Sequence, residues 1–444
     1  MPWLTTRRLA LAALAAWLAV AALNLALGPP LGHDEAAFAV IARGEQPPGT
    51  WLYRSDGTVA LARLGVALGG APWQLRLASA LLGASIVAAA FAVGRAAFSA
   101  RTGAWAAAVI AGAHPMALRS AQLLGDLPAA ACVLGGIAAL AGELDREAGP
   151  RWRIAAAAPL FAAAFYLRYG SAPAIAVALA AAGLVWRRAI AARPLPALGV
   201  LAALAALAVP HLVRSHGATG SALGILEVSA GMPRRAYLGE GLVTYVTSEP
   251  LRFYGVLVAP VMAAGLLGLV RTRRRAPWYL AIVALGQLVA LGVQSHGQSR
   301  YVFVAVVLLV VLGVDAAARL ARPRLALAAV ATAWLGVAGA SVVVCRHLEQ
   351  QRAPIAAAGG AIRGDAAGRP CAVVAAAVPQ LVWYSRCQVY LASRLDAPTP
   401  ADRVRYAVAL AHGSIDLGAI AALHQLRAVP VATGDPAAQV WRLE

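Results

Sequence analysis

Two acidic stations stand out in a chain that is otherwise sparing with charge. The first is Asp34-Glu35, in Pro29-Pro30-Leu31-Gly32-His33-Asp34-Glu35-Ala36-Ala37-Phe38, directly after the apolar run 9–27. The second is Asp126, in Gln122-Leu-Leu-Gly-Asp126-Leu-Pro128, where another apolar run begins. Runs of this length cross a bilayer, so both stations fall where a span meets solution, at the same predicted membrane level. Carboxylates so placed could deprotonate a hydroxyl nucleophile, hold a sugar's hydroxyls or share a divalent cation. A plainer reading is helix capping. Pro29-Pro30 stops the first helix and Asp34-Glu35 can cap a second one lying along the surface, while Pro128 suits the first turn of a helix that Asp126 would cap. Taken alone, the residues leave both readings open.

Arginines complete the set. Arg54 lies in Trp51-Leu-Tyr-Arg54-Ser-Asp56, Arg168 in Arg168-Tyr169-Gly170, and Arg300 in Arg300-Tyr301. Each can anchor a helix at the interface; together they would form a positive rim suited to a lipid-linked phosphate, because guanidinium binds phosphate oxygens bidentately. His33, His114, His211, His216 and His296 lie near the same edge, but no pair has helical metal-ligand spacing. The four cysteines, at 132, 345, 371 and 387, contain no CxxC spacing, so a zinc site is not expected. Cys371 and Cys387 sit in the polar C-terminal part, where a disulfide or two free thiols would fit equally well.

The elements that must position these residues are set by composition. With 444 residues, 61% hydrophobic and 13% charged, the chain has too little polar surface for a soluble globule. All 38 basic residues are Arg, and 28 of them precede residue 345, spread between apolar runs instead of gathered in one patch. That distribution argues against nucleic acid and fits membrane topology. Apolar runs at 9–27, 77–98, 102–118, 127–142, 154–167, 171–186, 195–213, 253–270, 277–293, 301–318 and 325–344 predict about eleven transmembrane helices. Arg density in the short connecting segments places the N-terminus inside and the C-terminus outside.

No acid before residue 345 lies in the middle of a predicted span, so the charged path expected of a flippase or exporter is missing. Chemistry is therefore expected on the outer face. Two outer loops are long, 28–76 and 214–252. The first carries weakly amphipathic stretches at 35–43 and 58–68 that read as interfacial helices, and the second holds Arg214, His216, Arg234, Arg235, Tyr237, Glu240 and Glu249. After about residue 345 short apolar segments at Cys371–Val378, Tyr406–Ala411, Val429–Thr433 and Gln439–Leu443 read as strands, with a helix at Ile415–Leu426. The fold class is therefore mainly α and polytopic: a transmembrane domain at 1–345 and a small α/β domain outside the membrane at 346–444.

Five motifs in this order carry a resemblance: Asp34-Glu35, Leu75-Arg76-Leu77-Ala78-Ser79, Gly125-Asp126-Leu127-Pro128, Phe165-Tyr-Leu-Arg168-Tyr-Gly170 and Ser299-Arg300-Tyr301. Together they resemble integral-membrane GT-C glycosyltransferases, in the protein O-mannosyltransferase and aminoarabinose-transferase-like group that includes the lipopolysaccharide-core RgtA/B/C/D-like enzymes. The resemblance implies a polyprenyl-phosphate-linked sugar as donor and a lipid, glycan or protein hydroxyl as acceptor. It further implies inversion at the anomeric carbon and transfer on the outer face of a bacterial-type plasma membrane. Asp34 would be the base and Asp126 would support donor or acceptor, with His33, Glu35, Arg54, Arg168, Arg300 and Tyr301 as binding residues. In place of the Lys-Pro-Pro-like stretch of related enzymes this chain has Tyr53-Arg54-Ser55-Asp56-Gly57. A polymerase or ligase joining whole glycans is a competing reading, to which Arg234-Arg235 is also suited.

Overall fold

In a computed structural model, the chain is described for residues 2–45, 51–146, 152–230, 237–247, 254–255, 258–270, 272–294, 297–317, 323–391, 404–410 and 427–444. Arg234, Arg235, Glu249, His296 and the helix expected at Ile415–Leu426 lie outside the described residues. Among the described residues each apolar run falls mainly on helix. Six helices are long and apolar enough to cross a membrane: Thr6–Leu27, Pro72–Ala97, Asp126–Leu144, Leu195–Thr219, Arg275–Gln294 and Arg324–Ala366. Four others are apolar but shorter: Ile154–Leu167, Tyr169–Val185, Val258–Leu269 and Phe303–Ala317.

These helices differ in what surrounds them. The best window of Asp126–Leu144 is 72% buried, against 11% for Leu195–Thr219, so the helix that begins at Asp126 is enclosed by protein while the other turns apolar surface outward, as a lipid-facing helix must. Small residues bring neighbours together where lipid supplies no hydrophobic drive. Gly265 and Gly313 show this: a Cβ on either would strike the backbone of the facing helix, so Val258–Leu269 and Phe303–Ala317 cross at backbone contact.

The chain divides into two compact units. One comprises residues 1–25, 51–58 and 77–341; the other comprises residues 26–50, 59–76 and 342–444. Both interfacial stretches form helices, His33–Arg43 and Asp56–Ala67. The helix Pro323–Ala366 runs without a break past residue 345. Beyond it a five-stranded sheet forms from β1 (Cys371–Ala375), β2 (Gln388–Leu391), β3 (Val404–Leu410), β4 (Ala428–Val431) and β5 (Ala438–Leu443), in the order β2-β1-β3-β5-β4. β1 runs parallel to β2 and β3, while β5 is antiparallel to β3 and β4. Val373, Tyr406, Val408 and Val440 are buried on one face against Ala358 and Ile362 of the long helix.

Two local expectations are revised. The strand expected over Cys371–Val378 ends at Ala375, and the chain turns into a helix, Val378–Ser385, with Pro379 in its first turn. Arg214 and His216, expected in an outer loop, lie on the helix Leu195–Thr219, which continues through Pro210 and ends at Gly220 in a left-handed conformation. Cys371 and Cys387 form a disulfide.

Candidate active site

The stretch Pro29–Phe38 folds as a capped helix. Gly32 is its N-cap, and the Gly32 N–H donates to Glu35 Oε2 at 2.9 Å, the reciprocal half of a capping box. Glu35 is buried and spoken for. Arg76 Nε donates to Oε1 at 2.7 Å and Arg76 Nη2 to Oε2 at 3.0 Å, a two-point grip in which both side chains are almost fully buried. Arg352 Nη1 lies 3.4 Å from Oε2 and donates to the Pro30 carbonyl at 3.0 Å. Burial raises the Glu35 carboxyl, but the charge and hydrogen bonds of Arg76, the charge of Arg352 and the Gly32 N–H together outweigh it and hold the group at about 2. Glu35 is thus a permanent anion that fixes its helix.

Asp34, one residue earlier, is half-buried in the first turn, and His33 is exposed. Glu35 meets the expectation of a capping acid. The contacts of Glu35 fix the backbone of the turn that carries Asp34.

Asp126 belongs to the other compact unit. Gly125 is its N-cap, and a Cβ there would strike the Leu167 carbonyl oxygen and the Thr58 hydroxyl. Only glycine allows that approach. Thr58 Oγ1 donates to the Leu167 carbonyl at 2.6 Å, and Ser79 Oγ donates to the Leu124 carbonyl at 2.7 Å. These contacts bring the end of one helix, Ala157–Leu167, to the start of another. Arg168, in extended backbone just after it, forms an ion pair with the buried Asp126. The Arg168 guanidinium also lies over the Tyr301 ring, 4.7 Å from its centroid, and Arg300 lies over the same ring at 5.5 Å while donating to Gln298 Oε1 at 2.7 Å. Asp126, Arg168, Arg300 and Tyr301 are therefore assembled from three distant segments. On the first loop the Arg54 guanidinium lies 5.2 Å from the Tyr53 ring centroid.

A second polar group was not singled out from sequence. Asp56 accepts from Arg214 Nη1 at 2.5 Å and from the Tyr169 hydroxyl at 2.9 Å, and the Ser55 hydroxyl accepts from the Tyr169 N–H at 3.0 Å. Tyr169 directly follows Arg168, so this network fixes the backbone next to the Asp126 partner. Arg352 and Tyr384 likewise emerge only from the fold, and Arg76, quoted in one of the five motifs, is paired with Glu35 only there; nothing in the sequence pairs residues so far apart. Among the described residues no group of three or more His, Cys, Asp and Glu is arranged to hold a metal ion.

Comparison with known proteins adds two findings. Residues 57–213 match the family model for dolichyl-phosphate-mannose-protein mannosyltransferase, and no curated protein sequence matches the chain. Among solved structures, ArnT from Cupriavidus metallidurans bound to undecaprenyl phosphate is 16% identical with a TM-score of 0.78, covering 97% of both chains. The apo state of that protein gives 17% and 0.74 at the same coverage. The Archaeoglobus fulgidus oligosaccharyltransferase in complex with Zn and sulfate is 14% identical with a TM-score of 0.57, over 88% of this chain and 67% of that one. Across nearly its whole length the chain is a multi-pass membrane protein with an ArnT-like fold, and residues 57–213 within it carry the likeness to the mannosyltransferase family model.

Proposed function

We propose that this protein is a membrane glycosyltransferase that moves a sugar from a polyprenyl-phosphate-linked donor to an acceptor hydroxyl on the extracytoplasmic face. The observation that carries the reading is the setting of Asp34-Glu35: Glu35 is buried and gripped by Arg76, which fixes the first turn on which the half-buried Asp34 stands. The fold it shares with an undecaprenyl-phosphate-bound ArnT supports a lipid-phosphate donor. The Cys371–Cys387 disulfide supports an oxidising compartment for the C-terminal unit.

In this mechanism Asp34 takes the proton of the acceptor hydroxyl as its oxygen bonds to the anomeric carbon. The bond from that carbon to the phosphate oxygen breaks, configuration inverts, and polyprenyl phosphate leaves. Asp126 supports donor or acceptor and holds Arg168, which with Arg300 and Arg54 offsets the charge that grows on the departing phosphate. His33, exposed beside Asp34, and Tyr301, under the Arg168 and Arg300 guanidinium groups, are the remaining binding residues of this reading. Acceptors in this class are glycans, lipids or proteins.

The test is sugar transfer from a polyprenyl-phosphate-linked donor by protein reconstituted in liposomes. Asp34→Asn is expected to lower turnover by about 10²- to 10⁴-fold, the usual contribution of a general base, with the melting temperature unchanged. Wild-type turnover by a folded Asp34→Asn protein would mean that the base lies elsewhere.

A further inference from the structure

The helix that carries Asp34 is fastened at both ends by residues from the C-terminal part of its own compact unit. At the N-terminal end the Tyr384 hydroxyl accepts from the Leu31 N–H at 2.8 Å, and Arg352 donates to the Pro30 carbonyl at 3.0 Å. At the other end Arg43 donates to the Trp383 carbonyl at 3.1 Å, and its guanidinium stacks 3.6 Å from the Trp383 ring centroid. Arg386 reaches Glu45 at 2.6 Å. Trp383 and Tyr384 belong to the helix Val378–Ser385, and the disulfide between Cys371 and Cys387 closes the loop containing that helix.

We infer that the disulfide-closed loop 371–387 is a positioning device for the Asp34 carboxylate, with Tyr384 and Arg352 as positioning residues, and that the C-terminal α/β unit exists in part to hold the reacting end of the first outer loop. The inference rests on the reading of Asp34 as the base. Its physical content is that four bonds to the backbone and side chains of residues 30–45 come from positions more than 300 residues later, so the geometry of Asp34 depends on that unit being folded. Small displacements of a reacting group are costly: about 1 Å can cost about 10²-fold in rate.

The experiment compares three variants with wild-type protein in liposomes, measuring kcat and KM for a polyprenyl-phosphate-linked sugar. Tyr384→Phe keeps the ring and removes the acceptor for Leu31; it is expected to lower kcat about tenfold while KM for the donor moves less than about twofold. Arg352→Gln is expected to behave likewise. Tyr406→Phe, which removes the 2.7 Å hydrogen bond to Asp365 in the same unit, is expected to leave kcat within about twofold. Amide hydrogen exchange provides a readout independent of turnover: residues 33–43 should exchange faster in Tyr384→Phe and Arg352→Gln, with the helix Asp126–Leu144 unchanged. Wild-type kcat and exchange in both variants would overturn the inference while leaving Asp34 as base, as would an equal loss of kcat in Tyr406→Phe. Full activity of Asp34→Asn would instead remove the reading on which the inference rests, and the inference with it.

Discussion

Adjacent carboxylates on one helical turn are buried to different depths, and the deeper one meets two arginines in the interior. Asp34 stays half-buried at the surface of its unit, whereas Glu35 accepts two hydrogen bonds from Arg76 and one from the Gly32 N–H, with Arg352 at 3.4 Å. The folded value of Glu35, about 2, lies well under its ordinary 4.5. An acid held down in this way adds stability while it is ionised in both states, above pH 4.5. That contribution is lost as pH falls from 4.5 towards 2, and it amounts to about 3 kcal/mol. Glu35→Gln should remove it at every pH and strand the buried Arg76, at a cost of about 3–5 kcal/mol. Unfolding temperatures measured in detergent between pH 2.5 and 7 should therefore drop steeply on the acid side for wild-type protein. For the variant they should start lower and change less; identical acid limbs would show that Glu35 is not the ionised group described.

At the scale of elements, the decisive feature is the junction at Gly125, where the start of one helix meets the end of another. A side chain at this position would drive against the Leu167 carbonyl and Thr58, and both lie next to residues of the candidate site. Gly125→Ala is therefore expected to destabilise the protein by about 1–3 kcal/mol and to displace Asp126 from Arg168. Transfer activity should fall more than stability predicts, and activity per folded molecule, scored against a thermal-shift assay, would separate the two. Much of this element was legible in advance: Gly125, Asp126 and Pro128 announce a helix start, and the apolar run to residue 142 announces its length. Its partner was not legible, because the Asp126–Arg168 pair depends on how two helices pack. The same divide runs through the C-terminal sheet. Alternation marked β3, β4 and β5 within a residue or two, whereas the short apolar stretch after Ala375 has the length of either a strand or a helical turn, and β2 is too short to carry a pattern.

At the scale of the whole molecule, charge and apolar exposure argue together for one orientation. The helix Leu195–Thr219 and the window in Arg324–Ala366 are only 11% and 17% buried, surfaces that water would not tolerate and lipid does. Arg187, Arg188, Arg273 and Arg274 sit in short connections between apolar helices, where cytoplasmic anchoring concentrates arginine. The sheet unit contains a disulfide, which a reducing cytoplasm would not maintain. These are separate physical signals, and the proposed orientation, with residues 187–193 and 272–275 inside and the C-terminal sheet outside, satisfies all of them. A reporter enzyme that needs oxidised cysteines should therefore be active when fused after Glu444 or Gly220 and inactive when fused after Arg188 or Thr272. A reporter that fluoresces only in the cytoplasm should give the complementary pattern. Activity of the oxidation-dependent reporter at Arg188 together with inactivity at Glu444 would reverse the orientation, and an outward-facing Asp34 would then have to be given up with it.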